Sequence, residues 1–196
     1  MCKNMPPLEL AIQFHGHICP GLLIGVRAAE LAQKELGVGQ DSDEELVAIV
    51  ENDNCSADAI QAILGCTFGK GNLVFKDYGK NVYTIISRDK GRALRIAQKF
   101  GSVSGPANDR FRDLAGRESL TDEEAGEKEM LIGEIFEKIM SIPAEDLFNW
   151  QEVAYEPPER GRIRRTIRCD RCGEGVMETR SSSVNGEILC MECQLK

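Results

Sequence analysis

Residues 45–58 read Glu-Leu-Val-Ala-Ile-Val-Glu-Asn-Asp-Asn-Cys-Ser-Ala-Asp, and this stretch decides how the larger part of the chain is expected to fold. The short apolar run at residues 45–51 predicts a buried strand. A helix follows, for which Ser56 is the expected N-cap and which runs through residues 60–64. Cys55 is therefore expected where a strand ends and a helix begins, a place at which α/β folds gather functional groups.

Upstream lies a heptapeptide, His-Gly-His-Ile-Cys-Pro-Gly at residues 15–21, which holds the only two histidines of the chain. An extended backbone here would place His15, His17 and Cys19 on one side. Pro20 suits the first turn of a helix, so Cys19 is the expected N-cap, where the helix dipole favours a thiolate. Three such residues within five positions favour a functional site over two structurally satisfied histidines beside a buried thiol.

Thiolate and imidazole are ligands that zinc and other borderline metals prefer, so this site is expected to bind a metal. A metal needs further ligands, and Cys55 is a candidate; Cys66 is more typical of a small buried side chain. The alternative needs no metal, with Cys19 as a nucleophile and His15 or His17 as its base.

A glycine-rich stretch at residues 65–73, Gly-Cys-Thr-Phe-Gly-Lys-Gly-Asn-Leu, superficially resembles a phosphate-binding loop. The glycine spacing is too short, a glycine replaces the Ser or Thr that binds Mg²⁺, and a helix precedes it instead of a strand. A turn is therefore expected, from which Thr67 and Lys70 are candidates to face the site, Lys70 in a catalytic role. The next strand, residues 73–75, is expected to form a hairpin with residues 82–87.

Two further helices are predicted from apolar spacing. Residues 89–100 carry alanine, leucine and phenylalanine side chains at helical intervals, and residues 121–140 carry a broad apolar stripe. Core packing is the default explanation of that stripe, although it would equally suit a dimer interface.

The charge pattern divides the chain in two. Residues 159–196 carry eight basic and six acidic side chains, whereas the residues before them carry a net charge of -10, against -8 for the whole chain. The change coincides with Pro157 and Pro158, which cannot continue a helix or a central strand. The predicted domains are therefore residues 1–156 and residues 157–196.

The smaller domain contains two Cys-x2-Cys pairs, Cys169 with Cys172 and Cys190 with Cys193, separated by 17 residues. This spacing is typical of a zinc ribbon in which four thiolates bind one structural Zn²⁺. Short strands are expected at residues 175–180 and 186–189, joined by a turn at residues 181–186. Disulfides or a redox pair are the alternative, but disulfides need an oxidising compartment.

The composition excludes several classes of protein. No stretch approaches the 18 or so apolar residues of a membrane span, and the N-terminal residues lack an apolar signal core, so a cytoplasmic protein is expected. Six arginines between residues 160 and 171 could bind a nucleic acid. The chain as a whole is acidic, however, and no aromatic residues are interleaved with these arginines for base stacking. The favoured explanation is that the arginines are solvated and pair with the acidic domain.

Three motifs in order resemble the FmdE family, which is named after formylmethanofuran dehydrogenase. They are Phe-His-Gly-His-Ile-Cys-Pro-Gly at residues 14–21, Asn-Cys-Ser-Ala-Asp-Ala-Ile-Gln at residues 54–61 and the glycine-rich stretch at residues 65–73, followed by the four-cysteine ribbon. The resemblance implies an α+β main domain, a mixed sheet with packed helices, that forms a homodimer.

The resemblance also implies a site. Its metal ligands would be His17, Cys19 and Cys55, with His15, Asp58, Thr67 and Lys70 nearby. Zinc is the expected metal, with nickel or iron as alternatives. The family name implies association with an oxidoreductase that reduces CO₂ to a formyl group, in which other subunits do the chemistry. Two hypotheses follow: an accessory subunit of such a dehydrogenase, or a stand-alone metal- or thiol-dependent enzyme acting on a small molecule.

Overall fold

The computed structural model describes residues 5–196, so Cys2, to which the sequence assigns no role, lies outside the described residues. The chain forms two compact units that divide between Arg160 and Gly161, close to the boundary expected from the proline pair. The helices are α1 Pro7–His15, α2 Pro20–Leu36, α3 Cys55–Leu64, α4 Pro106–Ala115, α5 Asp122–Ser141, α6 Ala144–Leu147 and α7 Met191–Gln194. The strands are β1 Leu46–Val50, β2 Leu73–Phe75, β3 Val82–Ser87, β4 Arg92–Gln98, β5 Phe148–Glu152, β6 Thr166–Arg168, β7 Gly175–Met177, β8 Ser181–Val184 and β9 Glu187–Cys190.

The larger unit is built on a five-stranded mixed sheet in the order β2-β1-β3-β4-β5. Strand β1 is parallel to β2 and antiparallel to β3, and every residue of β1 is buried. The predicted α+β fold with a mixed sheet is therefore confirmed. The hairpin predicted between β2 and β3 is wrong, because β1 lies between these two strands and pairs with both.

The segment predicted as a helix over residues 89–100 is instead strand β4. Leu94 and Ile96 of β4 point into the main core, while Ala93 lies in a second buried cluster on the opposite face. Because both faces of β4 carry buried apolar side chains, its sequence lacks the alternation that marks a half-exposed strand. Because apolar residues are needed on both faces of β4, they happen to fall at intervals that resemble those of an amphipathic helix.

The first three helices cover one face of the sheet and supply most of the core. Helix α2 is buried on most of its surface, as its apolar sequence predicts, and it packs against α3 through Gly25. The helix predicted at residues 121–140 is confirmed as α5, whose Ile135 and Ile139 join the same core.

The opposite face of the sheet is covered by the segment that follows β5. Val153 packs on the cluster formed by Val47, Ile49, Ile86 and Ala93. Further along, the Tyr155 hydroxyl lies 2.6 Å from Nζ of Lys76, and Arg88 donates to the carbonyl oxygen of Pro158. The proline-containing segment is therefore anchored across the sheet as far as Pro158.

A buried carboxylate ties the loop before β1 to the glycine-rich turn. Asp41 accepts hydrogen bonds from Nζ of Lys70 at 2.7 Å and from the side-chain amide of Asn72 at 3.0 Å. Burial by itself raises the pKa of Asp41, but the bonds from Lys70 and from the backbone N–H groups of Leu46 and Glu44 outweigh it and lower this pKa to about 2.

This low pKa predicts a pH dependence of stability. Above the unfolded pKa of about 4 the ionised Asp41 should stabilise the fold by about 2 kcal/mol, and about half of this is lost by pH 3 because the unfolded chain binds the proton first. Urea unfolding at pH 7 and pH 3 should therefore show the wild type losing its advantage over an Asp41→Asn variant as the pH falls. Asp89→Asn, at an exposed carboxylate, is the matched control and should behave as the wild type at both pH values.

The smaller unit contains two hairpins, β6 with β7 and β8 with β9. The turn predicted at residues 181–186 is wrong, since residues 181–184 form β8 and only Asn185 and Gly186 reverse the chain. Both turn residues have positive φ, of 52° and 88°, as a two-residue hairpin with right-handed strand twist requires.

No helix in the described part of the chain has the length and apolar composition needed to cross a bilayer.

Candidate metal centre

The heptapeptide at residues 15–21 forms a tight connection between two helices rather than the extended segment predicted. His15 is the last residue of α1, and Gly16 ends the helix with φ of 92°, a left-handed conformation that favours glycine. Cys19 is the N-cap of α2, as predicted, and its thiol accepts a hydrogen bond from the backbone N–H of Leu22 at 3.4 Å. The helix end at Gly16, and not strand alternation, brings the three side chains together.

The three side chains form a compact set of possible ligands. One ligand atom from each of His15, His17 and Cys19 lies within 4.8 Å of the other two, and the two imidazole ring centres are 4.5 Å apart. His15 and Cys19 are partly buried, while His17 is exposed. Two imidazole nitrogens and a thiolate at this separation suit zinc or another borderline transition metal.

Asp58, on the first turn of α3, orients the His15 ring. Its carboxylate oxygen lies 2.7 Å from Nδ1 of His15. An ionised carboxylate only accepts hydrogen bonds, so Nδ1 carries the proton and the lone pair is on Nε2. Nε2 is the atom that faces the Cys19 thiol, at 3.9 Å. A carboxylate behind a histidine in this way is the usual support of a metal-binding imidazole.

Cys55 begins α3 beside this cluster, but its thiol is not among the ligand atoms that lie within 4.8 Å of one another, where His15 takes the place expected for Cys55. A side chain on Gly21 would place its Cβ 3.3 Å from that of Cys55, so the first turns of α2 and α3 are in close contact. Burial, and next the neighbouring thiol of Cys19, raise the pKa of Cys55. Two thiols this close disfavour charge on each other, a penalty that a bound cation removes.

A hydrogen-bond network that sequence inspection missed holds the loop before α3. Asn54, not the predicted Ser56, is the N-cap, accepting from the backbone N–H of Ser56 at 2.9 Å. The Ser56 hydroxyl accepts from Tyr83 at 2.6 Å, and Asn52 donates to the carbonyl of Lys80 at 2.9 Å. Two asparagines within the three residues before a helix are the signal that could have revealed this network.

A pocket of about 430 Å³ opens beside the cluster. His15, Cys55 and Asp58 contribute to its lining, together with the aromatic rings of Phe68 and Phe75. Cys19 lines a second cavity of about 440 Å³ against α4 and α5. The cluster therefore lies where a small molecule can reach it, which the sequence alone did not indicate.

Lys70 and Thr67, predicted near the site, have other partners. The Lys70 ammonium is paired with Asp41, because that fully buried carboxylate requires a counter-charge. The Thr67 hydroxyl accepts from the backbone N–H of Lys70 within the turn. Neither residue lines the pocket, so the geometry gives Lys70 a structural role in place of the expected catalytic one. Cys66 is fully buried, as predicted, and burial raises the pKa of its thiol to about 12.

In the smaller unit the four predicted cysteines converge. The thiols of Cys169, Cys172, Cys190 and Cys193 lie within 4.8 Å of one another. The sulfur atoms of Cys172 and Cys190 are 4.0 Å apart, close to the roughly 3.8 Å expected between ligands with metal–sulfur bonds of about 2.3 Å. Backbone N–H groups of Cys172 and Cys190 lower the pKa of Cys169 to about 6. This arrangement is a closed, structural zinc site.

Comparison with known proteins gives two separate family matches. The family described as "FmdE, Molybdenum formylmethanofuran dehydrogenase operon" matches residues 14–149. The prokaryotic dksA/traR C4-type zinc finger matches residues 162–196, which supports the structural zinc. The two matches fall on the two units of the structure.

Two individual proteins are also similar. A protein of Archaeoglobus fulgidus, named a probable S-adenosyl-L-methionine-binding protein, is 35% identical over 191 residues, covering 93% of this chain and 51% of that protein. The chain thus spans about half the length of that relative, and the name describes the relative as a whole. The crystal structure of a tungsten formylmethanofuran dehydrogenase FmdE-like protein from Syntrophus aciditrophicus matches with a TM-score of 0.65 and 26% identity, over 95% of this chain and 89% of that chain.

The family match covers the parts of the chain that build the candidate centre. It begins at Phe14, one residue before the heptapeptide, and continues through α3, the glycine-rich turn and the sheet as far as the start of β5. Since this is well over half of the sequence and agrees with the solved structure, the chain belongs to the FmdE family.

Proposed function

We propose that the larger unit binds a transition metal through His15, His17 and Cys19, with Cys55 as the fourth ligand, and serves as an accessory subunit in redox or one-carbon chemistry. The observation that carries the proposal is the convergence of the first three ligand atoms within 4.8 Å, beside an open pocket. Zinc is the preferred metal, with nickel and iron as alternatives. Such a metal would polarise a bound small molecule as a Lewis acid.

The protein residues around the metal have separate tasks in this proposal. Asp58 keeps the proton on Nδ1 of His15, so that Nε2 is free to bind. The contact between α2 and α3 at Gly21 holds Cys55 beside Cys19. None of the seven cysteines in the described part of the chain is in a disulfide, which agrees with the reducing cytoplasm as the proposed location.

Metal content per chain, measured by elemental mass spectrometry after anaerobic purification, tests the proposal. We expect two metals in the wild type and one in a His15→Ala/Cys19→Ala variant. Cys66→Ala is the matched control, because it removes a buried thiol outside the cluster, and it should keep both metals. A single zinc in the wild type, unchanged in the double variant, would contradict the metal centre.

Asp58 provides a finer prediction. Asp58→Asn should weaken metal binding at the cluster by about 10- to 100-fold, because the His15 ring loses the carboxylate that orients it. Competition with a chromophoric chelator measures the change. Asp53→Asn is the control, since it makes the same substitution at an exposed carboxylate of the same pocket that has no bond to His15. Equal affinity in both variants would remove Asp58 from the centre.

A second candidate is a thiol-dependent enzyme without metal. Two contacts favour this candidate: the Cys19 thiol lies 3.9 Å from Nε2 of His15, and Nδ1 of His15 lies 2.7 Å from the Asp58 carboxylate. Nucleophile, base and orienting carboxylate are arranged in this order in thiol-dependent enzymes. The two candidates differ in their response to a chelator. If a metal is bound, iodoacetamide labelling of Cys19 should become fast only after metal removal; if the thiol acts alone, labelling should be fast before and after.

The proposal also includes a homodimer, which the family resemblance implies. Light scattering should then give twice the chain mass of 21.7 kDa. If the measured mass stays at that of a single chain over the working concentration range, the protein is a monomer. The metal centre would then be formed by the residues of one chain alone.

A further inference from the structure

The pocket beside the cluster brings two exposed aromatic side chains together on one concave surface. Phe68 is 85% exposed and Phe75 is 49% exposed, and both line the 430 Å³ pocket together with Val50 and Leu73. Exposed apolar side chains that converge on a concave surface mark binding sites. The volume lies within the usual range for small-molecule sites, about 300–1,000 Å³.

The polar groups of the pocket carry negative charge. Asp53 and Asp58 both line it, and among residues 5–196 no lysine or arginine does. Within the same described residues the Asp53 carboxylate has no hydrogen-bond or ion-pair partner. The three amides that line the pocket are already engaged: Asn52 with Lys80 and Ser56, Asn54 with Asn81 and Ser56, and Gln61 with Asp58 and the backbone of Phe68.

These features select a ligand by ring shape and by charge. Aromatic side chains favour a flat ring, and a cation near them gains from the negative ring faces as well as from the carboxylates. Asp58 is engaged by His15, but a phosphate group would still meet the unpartnered Asp53 carboxylate with no lysine or arginine in the lining to offset the repulsion, which disfavours nucleotides. We propose that this pocket binds an uncharged or positively charged small molecule with a flat aromatic ring, of nucleoside size and without phosphate.

This inference rests on the proposed function only in that the pocket shares His15, Cys55 and Asp58 with the metal centre. It names the class of molecule that would reach the metal. Binding to the aromatic walls does not itself require the metal, so the two proposals can fail separately: metal content tests one, and ligand affinity in metal-free and metal-loaded protein tests the other.

Three nucleosides that differ only at the 5′ position provide the test: 5′-amino-5′-deoxyadenosine, adenosine and adenosine 5′-monophosphate. Calorimetric titration of the full chain, with and without metal, should rank them in that order. The ammonium compound should bind at least about tenfold more tightly than the phosphate compound at low salt, and the ratio should shrink at high salt.

Matched variants assign the effect to the pocket. Phe75→Ala should weaken all three ligands, whereas Phe100→Ala, at a fully exposed phenylalanine outside the pocket, should leave them unchanged. Asp53→Asn should reduce the preference for the ammonium compound, and Asp89→Asn should not. Equal affinity for all three ligands, a preference for the phosphate, or no binding of any of them would overturn the proposal, the last result indicating that Phe68 and Phe75 belong to a protein interface.

Discussion

Replacing Cys169 with serine is expected to unfold residues 161–196 and to leave the larger unit folded. The buried apolar cluster of the ribbon consists of Cys169, Leu189 and Cys193, so two of its three members are themselves zinc ligands. A unit of this size cannot bury enough apolar surface to fold alone. Zinc binding contributes on the order of 10–16 kcal/mol in comparable small modules, which is the whole of their stability.

Two-dimensional NMR of the full chain, with zinc analysis on the same sample, measures this effect. In the Cys169→Ser protein the amide signals of the ribbon should collapse to unfolded positions, while those of the larger unit keep their dispersion. Ser183→Ala, on exposed β8, is the control within the ribbon and should retain both zinc and fold. A ribbon that stays dispersed after both substitution and chelation would show that zinc is not what holds it.

Replacing Gly25 with alanine should strongly destabilise the larger unit. A Cβ at this position would lie 2.7 Å from Cα of Ser56 and 2.8 Å from Cβ of Ala59. Neither atom belongs to a flexible side chain, so α2 and α3 must move apart. We expect a loss of about 3 kcal/mol in the free energy of unfolding.

The same displacement should reach the metal centre, because α2 begins next to Cys19 and α3 begins at Cys55. Urea unfolding and metal affinity should therefore both fall in the Gly25→Ala protein. Gly133→Ala is the matched control: it lies in the interior of α5 with no neighbouring atom within 4 Å. It should stabilise the protein by about 0.5–1 kcal/mol through helix propensity and leave metal affinity unchanged. Wild-type stability in Gly25→Ala would contradict the close helix contact.

Features carried by a few adjacent residues were predictable from the sequence. The ribbon follows from the spacing of its cysteines, since tetrahedral coordination accepts few arrangements. Cys19 as an N-cap follows from the proline after it, and the buried strand before Cys55 follows from an uninterrupted apolar run. For Cys19 and this strand the determining interaction lies within one turn or one strand; in the ribbon only each cysteine pair is local, and the repeated pair spacing indicates that the two pairs share one metal.

Pairings between distant segments were decided by the tertiary structure alone. Strand β4 was mistaken for a helix because the chain covers both of its faces, and β2 was assigned to β3 although it pairs with β1. His15 depends on Asp58, 43 residues away, and Lys70 on Asp41, 29 residues away. A carboxylate in the sequence does not reveal which cation or imidazole it will meet, because that choice depends on which helices and strands pack together. The sequence thus determined the kinds of ligand present, and the packing of α1, α2 and α3 determined which of them form one centre.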